Sequence, residues 1–227
     1  MWTPLPAAVL ATSLLLSACG QRRLEVVAPI PDAQGAAAEL RDGTHLEEPL
    51  HIVFAWQLNE AGRRLHGRGV ARVEPPYKAR IDLFLHNNET VVRAALVDGD
   101  LRLPAGAPDD ILPPPDLMWG VLGVFRPPEG TELLGAERLE GNAMRLRYAY
   151  PDRTELHYEV VDGSVRMLEL LERGQVVQRV RLEPGTADGY PKEAVYRNMA
   201  DFRELSLERE SLEVVPPFDT EIWDPRS

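Results

Sequence analysis

The residues whose side chains could perform chemistry are few and scattered. The five histidines stand at positions 45, 51, 66, 86 and 157, without the spacing that metal ligands share. The acidic pairs Asp98/Asp100 and Asp109/Asp110 lie in turn or loop sequence, where carboxylates commonly form turns. The sequence contains no nucleophile-elbow, zinc-protease, phosphate-loop or dinucleotide-binding motif. We therefore predict no catalytic residue, no cofactor and no metal site, and a protein that is not an enzyme.

Cys19 is the single cysteine, and its surroundings indicate a chemical use. The apolar stretch 9–16 precedes Ser17-Ala18-Cys19, as in a secretory signal with small residues at its cleavage point. Residues 16–19 (Leu-Ser-Ala-Cys) resemble the bacterial lipobox. That resemblance implies cleavage before Cys19, a diacylglyceryl anchor on its thiol and palmitate labelling. Gly20, in place of aspartate, implies sorting to the outer membrane, facing the periplasm.

Two alternatives to a lipid anchor remain for this segment. It could be an ordinary secretory signal in which the cysteine is incidental. It could also be a transmembrane helix, although the apolar run is shorter than the ~20 residues that such a helix needs.

Composition excludes several classes of partner and fold. The net charge of −11 makes nucleic acid a poor partner. The 17 glycines and 20 prolines are typical of a turn-rich β protein rather than a helix bundle. We predict a signal peptide over 1–18, a lipidated N-terminus and tether over 19–48, and one β domain over 49–227. A short helix is predicted within the tether, over 34–41.

From residue 51 onward, apolar and polar residues alternate in short runs. Residues 79–85 show the period of two that indicates a strand with one buried face. Asp98-Gly99 and Asp162-Gly163 are strong hairpin dipeptides. His157 falls on the polar face of a strand and is predicted at the surface. The fold class is therefore mainly β (α+β): a curved antiparallel sheet or half-barrel of about ten or eleven strands, with one or two helices covering its concave face.

The run 116–125 is the one long apolar segment that does not alternate. Prolines 113–115 precede it and prolines 127–128 follow it. Because its inner residues are apolar or glycine on every face, it must be covered on all sides. Asp116 could cap a helix beginning at Leu117, and a buried strand is the competing interpretation.

Inward-facing aromatic, methionine and apolar residues form the candidate ligand groove. Such sites are mostly hydrophobic, and methionine suits a pliable lining. The alternative is that the same residues form an ordinary core. The candidate lining residues are Trp56, Leu117, Met118, Trp119, Leu122, Phe125, Met144, Tyr148, Tyr150, Tyr158 and Met167.

From about residue 50 to 225, the order of elements resembles the LolA/LolB lipoprotein-carrier superfamily. The resemblance rests on residues 76–84, residues 97–101, the segment around Trp119, residues 205–207 and the closing pair 217–218. It implies an incomplete β-barrel with helical cover that holds a lipid or the acyl chains of a protein. It implies no individual site residue, because no functional loop residue of the superfamily can be matched.

The preferred hypothesis is a membrane-anchored lipoprotein that binds lipid or acylated protein in an apolar groove, with a possible lipoprotein partner and a role in lipoprotein or lipid transfer. Displacement of residues 116–125 would open the groove. The alternative hypothesis is a non-catalytic structural or interaction lipoprotein whose core is filled by its own side chains.

Overall fold

A computed structural model describes residues 24–108, 110–185 and 189–225. It contains one curved, open, antiparallel sheet of thirteen strands, two α-helices (α1, Ala33–Thr44, and α2, Pro115–Val121) and a short 3₁₀ helix, Thr220–Trp223. The predicted half-barrel fold is confirmed, with thirteen strands in place of the ten or eleven predicted. The strands are β1 (Val26–Ile30), β2 (Leu50–Glu60), β3 (Arg63–Glu74), β4 (Lys78–Leu85), β5 (Thr90–Val97), β6 (Asp100–Arg102), β7 (Glu132–Leu139), β8 (Ala143–Ala149), β9 (Glu155–Val161), β10 (Ser164–Glu172), β11 (Gln175–Pro184), β12 (Pro191–Asn198) and β13 (Arg203–Val214).

The sheet consists of two meanders that one long ladder joins. Its strand order is β1-β7-β8-β9-β10-β11-β12-β13-β2-β3-β4-β5-β6. Most neighbours are consecutive hairpin strands, as short turns dictate. The exceptions are β1, which pairs with β7, and β13, which pairs with β2 along its whole length, from Arg203 opposite Glu60 to Val214 opposite Leu50. Strand β13 therefore joins the two meanders into one continuous sheet.

Alternation along β2 shows how the strands divide the two faces. Every second residue of this strand is buried, and the residues between are partly exposed. This is the burial pattern of a sheet with one covered face. The buried residues are Leu50, Ile52, Phe54, Trp56 and Leu58.

Two glycines in β3 allow close packing, Gly67 against the backbone of β4 and Gly69 against the Phe54 ring of β2. Gly67 lies opposite Trp56, and Gly69 lies opposite Phe54. A Cβ on Gly67 would stand 1.9 Å from the Phe84 carbonyl oxygen, and one on Gly69 would stand 2.3 Å from the Phe54 ring. The Trp56 indole N–H donates to the carbonyls of Arg68 and Phe84, each at 3.1 Å. The buried indole thus keeps its polar atom satisfied.

Residues 26–44 differ from the predicted tether. Val26–Ile30 forms β1, a strand that the sequence pattern did not predict. This strand is short, contains Pro29 and stands at a sheet edge, so it carries little alternation and its ladder partner is distant in sequence. The helix predicted over 34–41 is confirmed as α1, whose first turn Asp32 caps by accepting a hydrogen bond from the Gly35 amide at 2.8 Å. Signal, cleavage and lipidation positions lie outside the described residues.

Ion pairs lie on the convex face of the sheet, and the prediction for His157 on this face is wrong. Arg145 pairs with Glu159 at 3.4 Å and Arg179 with Glu169 at 2.6 Å, and in both pairs the two residues stand directly opposite each other on neighbouring strands. His157 was predicted at the surface, but it is only 8 % exposed and contacts Glu155 at 2.7 Å. Its pKa is lowered, chiefly because burial disfavours the charged ring. The alternation correctly gave its face, but not how closely neighbouring side chains pack there.

None of the helices among residues 24–108, 110–185 and 189–225 is both long enough and apolar enough to cross a membrane.

The packing at Gly67 generates a stability prediction. We expect Gly67→Ala to lower the free energy of unfolding by roughly 1–3 kcal/mol, because the new methyl group meets a backbone carbonyl that cannot move away without bending the sheet. Gly43→Ala in α1 is the matched control. Its Cβ meets no atom within 4 Å, so we expect stabilisation by about 0.5–1 kcal/mol from reduced backbone entropy.

Urea unfolding followed by circular dichroism measures both variants. Midpoints that shift in the same direction for the two variants would contradict the packing interpretation.

Candidate ligand-binding site beneath helix α2

Helix α2 lies against the concave face and is covered on all sides. Its residues Leu117 to Val121 are all buried, and it contacts β10, β11 and β12. The helix prediction is confirmed and the competing strand is wrong. The predicted cap is also wrong, because the helix begins at Pro115 with Pro114 at the cap position. Proline suits this first turn, where its missing N–H has no intrahelical partner.

The helix is shorter than the apolar run that contains it. Its end is marked by Gly123, whose φ of +79° a residue with a side chain adopts only with strain. The amides of Leu122 and Val124 donate to the Trp119 carbonyl at 3.1 and 3.0 Å. After this turn, Val124 and Phe125 re-enter the core. The full segment 116–125 is therefore a short helix followed by a buried turn, and we call it the α2 segment.

Glycines let the α2 segment approach the sheet closely. A Cβ on Gly120 would stand 2.5 Å from a methyl carbon of Leu168 in β10. A Cβ on Gly123 would stand 2.8 Å from Pro191, the first residue of β12. Backbone against side chain is the closest packing that a helix permits, so the concave face is filled at these points.

Aromatic rings hold one end of the α2 segment against β8 and β9. The Phe125 ring meets Tyr158 edge-to-face, with centroids 4.7 Å apart, and lies 6.2 Å from Tyr148. The Tyr158 hydroxyl donates to the Arg126 carbonyl at 3.0 Å. Burial raises the pKa of Tyr158 well above its usual value, so this hydroxyl stays protonated and remains a donor.

A side-chain hydrogen bond joins the first turn of α2 to Tyr150, the residue that follows β8. The Tyr150 hydroxyl donates to Asp116 Oδ2 at 2.7 Å. Burial, followed by the Asp116 carboxylate itself, strongly raises the pKa of Tyr150. Asp116 therefore attaches α2 to the sheet rather than capping the helix.

The other side of the α2 segment is attached to the turn between β5 and β6. The Trp119 indole N–H donates to the Asp98 carbonyl at 3.4 Å, and Arg126 donates to the same carbonyl. The Arg126 guanidinium lies over the Tyr77 ring at 4.0 Å from its centroid. The rings of Tyr77 and Trp119 meet edge-to-face at 5.6 Å. Cation–π and hydrogen-bond contacts thus hold this end in place.

The structure brings most of the predicted groove residues into one core. Seven of them are fully buried: Trp56, Leu117, Met118, Trp119, Phe125, Tyr148 and Tyr158. Leu122, Met144 and Tyr150 are partly buried and pack against that core. These residues now fill the space that the predicted groove would occupy.

Met167 is the exception, because it lies on the convex face. It stands opposite Glu159 in β9 and Arg181 in β11. An irregularity in the ladder between Val165 and Met167 inserts an extra residue, so both Val165 and Leu168 reach the core. Such a bulge reverses the facing of every following residue and leaves no simple alternation signal.

A small apolar cleft of about 50 Å³ remains beside the C-terminal end of α2. The sequence prediction missed most of its lining, although these residues occupy inward positions of alternating strands. Two cations, Lys192 and Arg209, also line it. The apolar lining residues include Ile52, Phe54, Ala71, Ile81, Val121, Leu122, Ala194 and Leu207.

Within the described ranges, no group of three or more histidine, cysteine, aspartate or glutamate side chains is placed to hold a metal ion. The concave site offers apolar surface, aromatic edges and a few hydroxyls. Its chemistry is suited to excluding water from an apolar ligand.

Three solved structures share this architecture. A LolA superfamily protein from Nitrosomonas europaea has a TM-score of 0.55 at 11% identity, covering 84% of this chain and 96% of that one. A DUF1329 family protein from Desulfovibrio piger has a TM-score of 0.58 at 9% identity, covering 88% and 98%. A candidate outer membrane lipoprotein-sorting protein domain from Vibrio parahaemolyticus has a TM-score of 0.51 at 10% identity, covering 83% and 94%.

No protein-family model matches the chain, and no curated protein matches it in sequence. At such low identities the structural similarity shows the fold alone. The prediction of a LolA/LolB-like fold is confirmed.

The bond between Tyr150 and Asp116 generates a prediction about the α2 segment. We expect Tyr150→Phe to lower the free energy of unfolding by about 1–2 kcal/mol and to speed amide hydrogen exchange in residues 117–124, because Asp116 loses this donor. Tyr196→Phe is the control, since that hydroxyl donates to Gln178 in β11 at 3.1 Å. Equal exchange rates in 117–124 for wild type and Tyr150→Phe would refute the attachment.

Proposed function

We propose that the protein is a membrane-anchored lipoprotein that binds lipid or acylated protein on the apolar concave face beneath the α2 segment. One observation carries this proposal. The concave face is apolar, and the part of its cover that packs on β10, β11 and β12 is a helix of only seven residues, flanked by proline-rich connections. Such a cover can leave as a unit, because it adds no strand to the sheet.

Acyl chains would take the place of the side chains that α2 now contributes. Shielding a methylene group from water stabilises the complex by about 0.8 kcal/mol. The 50 Å³ cleft is too small for an acyl chain, so binding in this cleft requires the α2 segment to move. In this mechanism the ligand selects a minor open state, and the cleft beside Val121 and Leu122 is the place where a chain first enters.

The fold neighbours support the same direction. One is a LolA superfamily protein, and another is described as a candidate outer membrane lipoprotein-sorting domain. We extend that role to this chain as a proposal, with lipoprotein or lipid transfer at the outer membrane as its setting. Anchoring through Cys19, with the domain facing the periplasm, belongs to the same proposal.

A second candidate function has its own support. The concave face is filled by the protein's own side chains, and the apolar cleft beside α2 is small. These observations favour a structural or interaction lipoprotein that carries no lipid. The two functions differ in whether the α2 segment ever moves away from the concave face.

Lipidation of Cys19 generates a direct prediction. In a Gram-negative host, we expect the membrane-extracted protein to begin at Cys19 and to incorporate labelled palmitate, because residues 16–19 fit the lipobox. Cys19→Ser should remove the label completely, since the sequence holds no other cysteine. Mass spectrometry of the N-terminal peptide measures both proteins. Label that persists in the variant would refute anchoring at this position.

Lipid binding is tested with a chain that starts at Gly20 and keeps every described strand and helix. We expect wild type to carry copurifying lipid in native mass spectrometry and to take up a fluorescent fatty acid. Leu122→Glu places a charge in the apolar cleft, so uptake should weaken at least about tenfold. Leu134→Glu on β7, where the leucine is exposed, is the matched control and should bind like wild type.

Wild type that neither copurifies with lipid nor takes up the fatty acid would refute the carrier and leave the interaction protein. Equal losses in the two glutamate variants would mean that charge alone, and not the cleft, governs uptake.

A further inference from the structure

A second cleft, of about 380 Å³, lies where α1, the chain after Phe125 and the turn between β3 and β4 meet. Its lining differs from that of the apolar cleft beside α2. Arg41 and Arg126 supply guanidinium groups, and Tyr77 and Tyr148 supply aromatic rings. Of the described lining residues, only Glu129 carries a carboxylate, and it is exposed. In a chain with a net charge of −11, this cleft is locally positive.

Arg126 is held by neutral groups rather than by a close counter-ion. Its guanidinium stacks on Tyr77 and donates to the Asp98 backbone carbonyl. The Asp98 carboxylate oxygen is 3.9 Å away, and that side chain is 71 % exposed to solvent. Such a pair contributes little in water. Since a guanidinium has five N–H donors, Arg126 retains capacity for an anion on its cleft side.

Arg41 lines the same cleft as Tyr148, and it makes no ion pair with any residue in the described ranges. Burial raises the pKa of Tyr148, and the positive charge of Arg41 acts in the opposite direction. Because both side chains line this cleft, both can contact one ligand there. Gln34 lies on the same face of α1 as Arg41, and its amide adds a neutral hydrogen-bonding group to the same cleft.

We propose that this cleft binds a phosphate group, with Arg41 and Arg126 as charged donors and Tyr148 and Gln34 as neutral partners. Two guanidinium groups match the charge of a phosphate monoester, and their planar forks match its oxygens. The phosphate could belong to a lipid headgroup or be free in solution, and the two sources share this chemistry.

The position of the site links it to the α2 segment. Arg126 follows Phe125 directly and shares the Asp98 carbonyl with Trp119 of α2. A phosphate that draws Arg126 toward the cleft would weaken one attachment of the α2 segment. When the phosphate belongs to a lipid headgroup, the acyl chains of that lipid would lie beside the C-terminal end of the segment. This link rests on the proposed function, whereas binding of phosphate itself does not require α2 to move.

The test uses the full chain in dodecyl maltoside micelles, whose headgroups carry no phosphate, and isothermal titration at fixed ionic strength. Inorganic phosphate and short-chain phosphatidic acid are the two probes. We expect saturable binding by wild type, and at least about tenfold weaker binding by Arg41→Gln and by Arg126→Gln. Arg138→Gln, which removes an exposed arginine on β7, is the charge-matched control and should bind like wild type.

Arg41 is exposed on α1, so its variant keeps the fold even if Arg126→Gln loosens the α2 segment. Phosphatidic acid binding more tightly than inorganic phosphate supports the lipid source, and equal affinities support free phosphate. No saturable binding by wild type, or an equal loss in Arg138→Gln and Arg41→Gln, would overturn the site.

Fatty-acid uptake, measured on the same proteins, separates the two proposals. Uptake without phosphate binding overturns only the phosphate site. Phosphate binding without uptake overturns only the lipid carrier.

Discussion

The ladder between β13 and β2 holds the two halves of this protein together. Each half is a meander whose hairpins need only short-range pairing. Their union needs strands separated by almost the whole domain, from Glu60 opposite Arg203 to Leu50 opposite Val214. Without that ladder, each half would expose a long strand edge and an uncovered apolar face. The concave surface, and so any site on it, exists only because the C-terminal strand returns to the first long strand.

The cover of that surface follows from a simpler constraint. An apolar segment with no polar face can only be stable where it is surrounded, and the concave side is the one place that offers this. Gly120 and Gly123 then allow contacts that larger residues would prevent. The polar attachments at Tyr150 and Asp98 stand at either side of an otherwise apolar interface. Apolar contacts thus supply the affinity of the segment for the sheet, while hydrogen bonds set its position.

The strand periodicity and the non-alternating run were enough to predict the sheet, its helical cover and most of the core. Features that depend on pairing were not predictable. Strand β1 is visible only once β7 is available as its partner, and Met167 changes face because of a local ladder irregularity. Asp116 resembled a cap in sequence, yet its partner is a tyrosine distant along the chain. The cleft that carries the proposed phosphate site was not predictable either, because Arg41 lies on α1 and Arg126 follows the α2 segment.

The two outer strands, β1 and β6, are the ends of the sheet order rather than neighbours. A closed barrel has a fixed circumference, because widening it would break a strand ladder. This sheet is open between β1 and β6, and the gap between them can widen while every described ladder stays intact. The volume enclosed by the concave face can therefore change through the curvature of the sheet alone. The two edge strands are poor templates for an added strand, because β6 has only three residues and β1 contains a proline. The sheet can therefore stay open without pairing with another chain.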